Sequence, residues 1–123
     1  MRTQEAFVFV RRGGEFLVLH RSPENGAYWH GVAGGVEKGE TFAEAAAREL
    51  REETGLAAEP APLEHTFRYE GVLVECFLAE APAGWEPRLD WEHDDYRWCT
   101  AEEAEALLYW PEPRGLLRTL GRP

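Results

Sequence analysis

Two short apolar runs near the N-terminus, separated by a pair of glycines, predict a β-hairpin. Ala6 to Arg11 reads Ala-Phe-Val-Phe-Val-Arg, and Glu15 to His20 reads Glu-Phe-Leu-Val-Leu-His. Both segments are rich in β-branched and aromatic residues, which fit the half-buried surface of a strand. Gly13-Gly14 separates them and is typical of a tight hairpin turn. We therefore predict that these two segments pair as the first two strands.

Four more extended segments are predicted farther along the chain. Tyr28 to Ala33 is a short one. Leu63 to Tyr69 and Val72 to Leu78 form a second pair around the tight Glu70-Gly71 turn, and Tyr96 to Cys99 is the last strand. Proline and glycine residues mark the loops between these segments.

One helix is predicted with well-defined ends. Thr41 is a good N-cap, and Glu44, three residues later, completes a capping box. The interior consists of Ala, Arg, Glu and Leu, which are strong helix formers. Gly55 stands where a left-handed C-terminal cap is required. We therefore expect a helix between Thr41 and Gly55.

The C-terminal third of the chain predicts a second helix and a short third one. Thr100 opens the second helix with a capping box to Glu103, and this helix is expected to run to about Leu108. Prolines 111 and 113 are expected to break the chain before a final helix over residues 114–120. Strands and helices in this order predict a single α/β (α+β) domain over residues 1–123, with a mixed β-sheet between helices.

Three carboxylates are expected on one face of the first helix. At about 100° per residue, Glu49, Glu52 and Glu53 fall within an arc of about 100°, and Ala45 lies between them. A separate apolar stripe is predicted to face the core, formed by Ala43, Ala46, Ala47 and Leu50.

The clustered carboxylates need a positive partner, because like charges four residues apart on a helix repel each other. Arg48 and Arg51 are one possible source of that charge. A divalent cation bound by oxygen atoms is the other, and Mg2+ is the cation that suits carboxylates combined with substrate phosphates. The spacing alone leaves both interpretations open.

The stretch from Gly34 to Leu56 resembles the signature box of the Nudix hydrolase family. Gly34, five residues, Glu40, seven residues and then Arg48-Glu49-Leu50-Arg51-Glu52-Glu53-Thr54-Gly55-Leu56 match that box at every defined position. The resemblance implies an α/β/α sandwich fold. It also implies a hydrolase that cleaves a pyrophosphate bond in a nucleoside diphosphate linked to another group, by attack of a metal-activated water.

The resemblance also implies roles for individual residues of the box. Glu49 and Glu53 correspond to the principal Mg2+ ligands, and Mn2+ is a possible substitute for Mg2+. Glu52 corresponds to a shared ligand or the general base, and the backbone carbonyl of Ala33 joins the ligands. Structural positions of the box are occupied by Gly34, Glu40, Arg48 and Gly55. Among these, Glu40 is expected to pair with Arg48.

A further carboxylate is expected from the segment Trp91-Glu92-His93-Asp94-Asp95-Tyr96-Arg97-Trp98. Its acidic-His pair, followed by an aromatic-basic-Trp strand, is similar to family members that act on nucleoside or pterin triphosphates. Glu92 is our candidate for a fourth metal ligand or an alternative base. Asp94 or Asp95 remains an alternative for this role.

Residues outside the box are candidates for contacts with the substrate. Arg21 ends the second strand together with His20, where a basic residue could contact phosphates, although a surface charge explains it equally well. Trp29 is the preferred aromatic for stacking on a base. The other aromatic candidates, each of which could instead belong to the core, are Tyr28, Phe67 and Tyr69. His30 is a candidate polar contact, with a histidine satisfied by the backbone as the alternative.

Charge and composition exclude several classes of partner. The net charge is −10, which argues against a nucleic-acid or membrane surface. No 18-residue apolar run is present, and residues 1–10 lack the features of a signal peptide, so we expect a cytoplasmic protein. Cys76 and Cys99 have no metal-binding or redox spacing and are expected to be small buried residues in two strands.

These observations favour a Mg2+-dependent pyrophosphohydrolase, acting as a monomer or homodimer on a small nucleotide. The preferred substrate is a nucleoside triphosphate or a similarly compact triphosphate such as dihydroneopterin triphosphate. ADP-ribose and dinucleoside polyphosphates remain alternatives. A non-catalytic nucleotide-binding module is a further alternative, which the presence of all the box glutamates disfavours.

Overall fold

The computed structural model describes residues 3–121. In this range the chain forms seven strands, three α-helices and one short 3-10 turn. The strands are β1 (Gln4–Arg12), β2 (Glu15–Arg21), β3 (Trp29–His30), β4 (Val32–Gly35), β5 (Ala61–Tyr69), β6 (Val72–Glu80) and β7 (His93–Cys99). The helices are α1 (Phe42–Thr54), α2 (Ala101–Leu107) and α3 (Pro111–Leu120), and the 3-10 turn spans Pro23–Asn25.

The strands form one mixed sheet in which β1 is central. The end of β1 pairs with β2 in the predicted hairpin, and its first half pairs antiparallel with β4. On its other edge β1 runs parallel to β6, which pairs antiparallel with β5. Strand β2 also pairs antiparallel with β3 and β7. This topology brings the start of β7 close to the end of β2, where Arg21 is paired with His93.

Both faces of the sheet are covered by helices because successive side chains of a strand point to opposite faces. Ala6, Val8 and Val10 of β1 pack in a cluster with residues of α1. Phe7 and Phe9 of the same strand pack in a second cluster with residues of α2 and α3. The predicted α/β/α sandwich with a mixed sheet is confirmed.

The predicted ends of α1 and α2 are confirmed in atomic detail. Thr41 Oγ1 accepts a hydrogen bond from the Glu44 amide, and the Glu44 carboxylate accepts one from the Thr41 amide. Gly55 adopts the left-handed conformation with φ of 83°. The Thr100 and Glu103 pair repeats the capping box at the start of α2. These local contacts fix where α1 begins and ends, and therefore where its glutamates lie.

Helix α3 begins earlier than predicted. It starts at Pro111 and includes Pro113, whereas the prolines were expected to break the chain before residue 114. Proline is tolerated in the first turn of a helix, because the amide hydrogens of that turn have no intrahelical acceptor. Strand β7 likewise begins at His93 instead of Tyr96, since residues 93–97 extend the pairing with β2.

Cys76 and Cys99 are free and buried on β6 and β7, as predicted. Burial raises the pKa of the Cys76 thiol to about 12, so this thiol stays protonated at neutral pH and packs as part of the core. None of the helices within residues 3–121 has both the length and the apolar character needed to cross a membrane.

Candidate active site

Of the three carboxylates on one face of α1, those of Glu49 and Glu53 are buried, whereas that of Glu52 is exposed. Glu49 is 9% exposed and Glu53 only 2% exposed, and Ala45 between them is fully buried. The predicted apolar stripe is therefore partly wrong, because Ala43 is exposed while Ala45 is buried. The helix is rotated so that two carboxylates share the buried face with Ala45, Ala46 and Leu50.

Gly34 makes this rotation possible. It lies on β4, beside α1, and a Cβ atom added at this position would overlap the carboxylate of Glu49. Only a residue without a side chain leaves room for a carboxylate against the backbone of β4. The first glycine of the box is therefore required by a close approach, and its role is not the freedom of φ in a loop.

Arg48 connects the loop before α1 to the carboxylates of the helix. Its Nε donates to Glu40 Oε2 at 2.7 Å, which confirms the predicted pair, and its Nη2 donates to the Gly35 carbonyl at 2.9 Å. Nη1 donates to Glu49 Oε1 at 2.7 Å and to Glu52 Oε1 at 3.1 Å. The hydrogen bond from Arg48 lowers the pKa of Glu40, and the same bonds raise the pKa of Arg48.

The opposite wall is supplied by the loop that precedes β7. Glu86 in this loop accepts hydrogen bonds from Arg12, Tyr96 and Trp98, at 2.7, 3.1 and 2.8 Å. The Arg88 amide donates to the carbonyl of Thr54, the last residue of α1, at 2.8 Å. These bonds hold the loop against the end of α1, so that residues 90–92 face the helix.

The two walls enclose a cavity of about 450 Å3, which we call the acidic cavity. Its lining combines carboxylates of α1, the end of β2, strand β4 and the loop before β7: Arg21, Ala33, Gly34, Glu37, Arg48, Glu49, Glu52, Asp90, Trp91 and Glu92. Glu92, which the sequence placed in reach of α1, is brought to this cavity. Burial raises the pKa of Glu92, and the nearby Asp90 raises it further.

Glu53 lies behind the acidic cavity and does not line it. Its Oε1 has no hydrogen-bond partner among the described residues, and lies 3.8 Å from His93 Nε2. Burial raises the pKa of Glu53 well above its usual range, and the hydrogen bond with the neighbouring Glu49 adds to the shift. His93 is itself 1% exposed at its side chain, and its Nδ1 lies 2.7 Å from Asp90 Oδ1.

Asp90 and His93 were missed as site residues by the sequence analysis. They lie three residues apart, and their side chains meet, with Asp90 Oδ1 at 2.7 Å from His93 Nδ1. Asp94 and Asp95, the alternatives to Glu92, have other partners. Asp94 lies 2.6 Å from His20 Nδ1, and Asp95 accepts a hydrogen bond from the Tyr96 amide.

The acidic cavity has the donors that a hard divalent cation prefers. Carboxylates of Glu49, Glu52 and Glu92 line it together with Ala33, and the buried Oε1 of Glu53 has no hydrogen-bond partner among the described residues. Oxygen donors of this kind fit Mg2+. Within residues 3–121, however, no three histidine, cysteine, aspartate or glutamate side chains are already gathered around one cation position. Two of the carboxylates, those of Glu49 and Glu52, accept hydrogen bonds from Arg48.

A second cavity, of about 320 Å3, has aromatic walls, and we call it the aromatic cavity. It is lined by Glu5, Tyr28, Tyr69, Glu70, Val72, Tyr109 and Trp110. The rings of Tyr28 and Tyr109 stack, with centroids 4.2 Å apart. Arg21 links the two cavities, because it lines the acidic one and its guanidinium lies 5.6 Å from the centre of the Tyr28 ring.

The structure places Trp29 differently from the aromatic residues beside it in sequence. Trp29 is not among the described residues that line the acidic cavity or the aromatic cavity. It packs against the core, with the His20 ring at 4.8 Å and the Arg97 guanidinium at 4.7 Å from its centroid. Tyr28 and Tyr69, which the sequence ranked below Trp29, do reach a cavity, and Tyr109 joins them from the segment before α3.

His30 is buried among aromatic rings. Neither ring nitrogen has a hydrogen-bond partner within residues 3–121, so a histidine satisfied by the backbone is excluded. Its ring centre lies 4.6 Å from that of Trp110 and 5.0 Å from that of Phe7. Burial lowers the pKa of His30 to about 3, so the side chain is neutral at physiological pH.

Comparison with known proteins identifies the family that this fold and site define. A family model described as NUDIX domain matches residues 1–120. A C. elegans Ap4A hydrolase, solved as a binary complex, is 31% identical, with a TM-score of 0.82 and coverage of 94% of both chains. The chain therefore belongs to the Nudix hydrolase family.

Other relatives are more distant or align only in part. The E. coli dihydroneopterin triphosphate pyrophosphohydrolase shares the fold, with a TM-score of 0.85 at 22% identity over 96% of this chain and 94% of that chain. An octanoyltransferase of Myxococcus xanthus is 37% identical over 85% of this chain and 32% of its own length. A phosphatase NudJ of Escherichia coli is 49% identical over 42% of this chain and 33% of its own length. The matches thus span about a third of these curated relatives.

Proposed function

We propose that this chain hydrolyses a pyrophosphate bond in a nucleoside triphosphate or a similar nucleoside-diphosphate-linked compound, with Mg2+ as cofactor and Mn2+ as a substitute. The observation that carries the proposal is the acidic cavity, in which Glu49, Glu52 and Glu92 face one another beside Arg21. Family membership supports hydrolysis, and the net charge of −10 fits a site whose phosphate-binding charge comes from a cation.

The proposed cation ligands are Glu49, Glu52, Glu53 and Glu92, with the carbonyl of Ala33. When bound, Mg2+ neutralises phosphate charge and lowers the pKa of water, which favours attack on phosphorus. Arg48 donates to Glu49 and Glu52, and would retain Glu40 and the Gly35 carbonyl as partners if those two carboxylates turned to a cation.

The reaction needs a base that takes one proton from the attacking water. A new P–O bond then forms as the bridging P–O bond breaks, and the leaving phosphate departs with the bridging oxygen. Glu52 and Glu92 are the proposed bases. Burial raises the pKa of Glu92, which makes its carboxylate a stronger base. Arg21 is positioned to contact the phosphates on the side of the aromatic cavity.

The aromatic cavity supports an aromatic group as the organic part of the substrate. Tyrosine rings supply flat apolar surfaces for stacking on a base, and Arg21 lies between this surface and the acidic cavity. This arrangement suits a compact nucleotide as substrate. We propose the cytoplasm as the place of the reaction. The likeness to the C. elegans Ap4A hydrolase favours a dinucleoside polyphosphate as the second candidate substrate.

The test is release of phosphate and pyrophosphate from a panel of nucleotides with Mg2+, with alkaline pH included. We expect Glu52→Gln to lower the rate about 10²-fold or more while the fold is kept. Arg51→Gln is the matched control, because Arg51 is an exposed neighbour on the same helix. The proposal would be refuted if the unmodified protein released neither phosphate nor pyrophosphate from any nucleotide, or if turnover were unchanged in Glu52→Gln and Glu53→Gln. Either result would favour a non-catalytic nucleotide-binding module.

A further inference from the structure

A buried side-chain array connects the two walls of the acidic cavity. His93, the first residue of β7, has Nδ1 at 2.7 Å from Asp90 Oδ1 on the loop wall and Nε2 at 3.8 Å from Glu53 Oε1 on the helix wall. The side chains of His93 and Glu53 are 1% and 2% exposed. One imidazole thus contacts both elements that supply the proposed cation ligands.

The ring of His93 is fixed on the Asp90 side. The His93 amide donates to the Asp90 carbonyl at 3.3 Å, and the side chains of the two residues meet across the same turn. This closed turn fixes the ring orientation and directs Nε2 at Glu53. The Glu92 carbonyl, one residue before His93, accepts a hydrogen bond from the Ser22 amide at 2.9 Å, so the backbone of this wall is held on both sides.

Glu53 has an oxygen for which this imidazole is the available partner. Its Oε1 is buried and lacks a hydrogen bond among residues 3–121, which is unfavourable for a carboxylate. The distance to His93 Nε2 is 3.8 Å, about 0.6 Å beyond hydrogen-bonding range. A small rotation of the Glu53 side chain would close this gap, with Nε2–H as the donor and the carboxylate as the acceptor. The other carboxylate oxygen would remain on the side of Glu49, which lines the acidic cavity.

We propose that His93 is a positioning residue that orients Glu53 and sets its separation from Glu92 for binding of a divalent cation. The inference rests on the proposed function, since it concerns the same cation. Cation ligands are generally oriented by a hydrogen-bonded partner outside the coordination sphere, and loss of such a partner weakens binding about 10- to 100-fold. Asp90 fixes the histidine, and the histidine fixes Glu53.

Two substitutions of His93 separate its two contacts. In His93→Asn the shorter amide reaches about as far as Nδ1 and keeps the Asp90 contact, whereas in His93→Gln the longer amide reaches toward Glu53. The measurement is binding of Mn2+ without substrate, followed by the EPR signal of free Mn2+, together with thermal unfolding in EDTA. We expect His93→Asn to bind Mn2+ about 10- to 100-fold more weakly, and His93→Gln to recover much of that loss.

His65→Gln is the matched control, because His65 lies on β5 and pairs with the exposed Glu112. It should bind Mn2+ as the unmodified protein does. If His93→Asn and His93→Gln lose equal Mn2+ affinity, in proportion to their loss of thermal stability, His93 has a packing role and the inference is overturned. A Mn2+ affinity of His93→Asn within about twofold of that of the unmodified protein would also overturn it. Failure of the unmodified protein to bind Mn2+ would instead refute the proposed function itself.

A second measurement decides the matter if His93→Asn does not fold. In the unmodified protein, Mg2+ should shift the ¹⁵N resonance of His93 Nε2, since a change in the orientation of Glu53 alters its hydrogen bonding. The His65 resonances should stay in place. An unmoved His93 resonance at saturating Mg2+ would overturn the inference.

Discussion

At Glu53, the requirements of cation binding and of folding stability are expected to conflict. The carboxylate is 2% exposed, and its Oε1 has no hydrogen bond within residues 3–121. Glu53→Gln keeps the shape of the side chain and removes the ionisable group. We expect this variant to be more stable than the unmodified protein in the absence of a cation, because its amide can donate to the neighbouring Glu49.

The magnitude follows from burial of an unsatisfied polar group. Such a group costs about 1–3 kcal/mol, and more when it is charged. A change of this size in a domain of 123 residues shifts Tm by about 4 °C per kcal/mol, so we expect Tm to rise by about 4–12 °C. The free energy of unfolding should rise correspondingly at neutral and mildly alkaline pH.

The pH dependence has a definite sign. Burial, and then the neighbouring Glu49, raise the pKa of Glu53 in the folded protein above its unfolded value of about 4.3. Below the unfolded pKa both states carry the proton and no stability is lost. As pH rises from there toward the folded pKa, the unfolded state releases the proton first, and stability falls by up to about 1.4 kcal/mol per pH unit. The advantage of Glu53→Gln should therefore grow over this range.

The assay is urea unfolding in EDTA at pH 5 and pH 8, followed by circular dichroism. Glu52→Gln is the matched control, since Glu52 lies on the same helix but is exposed, and it should change stability by less than about 1 kcal/mol. A Glu53→Gln variant that is no more stable than the unmodified protein at pH 8, or whose advantage is larger at pH 5, would refute the reasoning.

Two further predictions test the packing of the site and its substrate contacts. Gly34→Ala should destabilise the protein by about 1–3 kcal/mol in urea unfolding, because the new Cβ overlaps the Glu49 carboxylate. Gly115→Ala, which meets no atom within 4 Å on α3, should not destabilise it, and equal losses in both would contradict this account. Tyr109→Ala should raise KM for the preferred nucleotide about tenfold through lost stacking and leave inorganic tripolyphosphate hydrolysis unchanged. An equal loss for both substrates would contradict binding of the substrate base in the aromatic cavity.

Local features of the chain could be predicted because local contacts decide them. Thr41 and Glu44 satisfy each other within one turn, and Gly55 ends α1 by its own conformation. The Glu40–Arg48 pair followed from the resemblance of the box to a known family. The order of strands and helices predicted a mixed sheet between helices, and residues on both faces of β1 are buried in the two core clusters.

The rotation of α1 was not predictable from its own sequence. The helical wheel placed Ala43 in the core stripe and the glutamates on a separate face, but the sheet and Gly34 provide buried space for Glu49. A wheel gives only the relative directions of side chains. Which direction is buried depends on the surface that the helix packs against.

The sequence by itself determined the family, the extent of α1 and the set of carboxylates. Only the tertiary structure decided which residues from distant segments meet them. Asp90 and His93 reach Glu53 because β7 pairs with β2, and Tyr109 stacks on Tyr28 across more than eighty residues of sequence. Such contacts depend on strand pairing and on the packing of helices onto the sheet, which no local pattern encodes. For this reason the aromatic cavity is lined by tyrosines and not by Trp29, the aromatic residue that the sequence favoured.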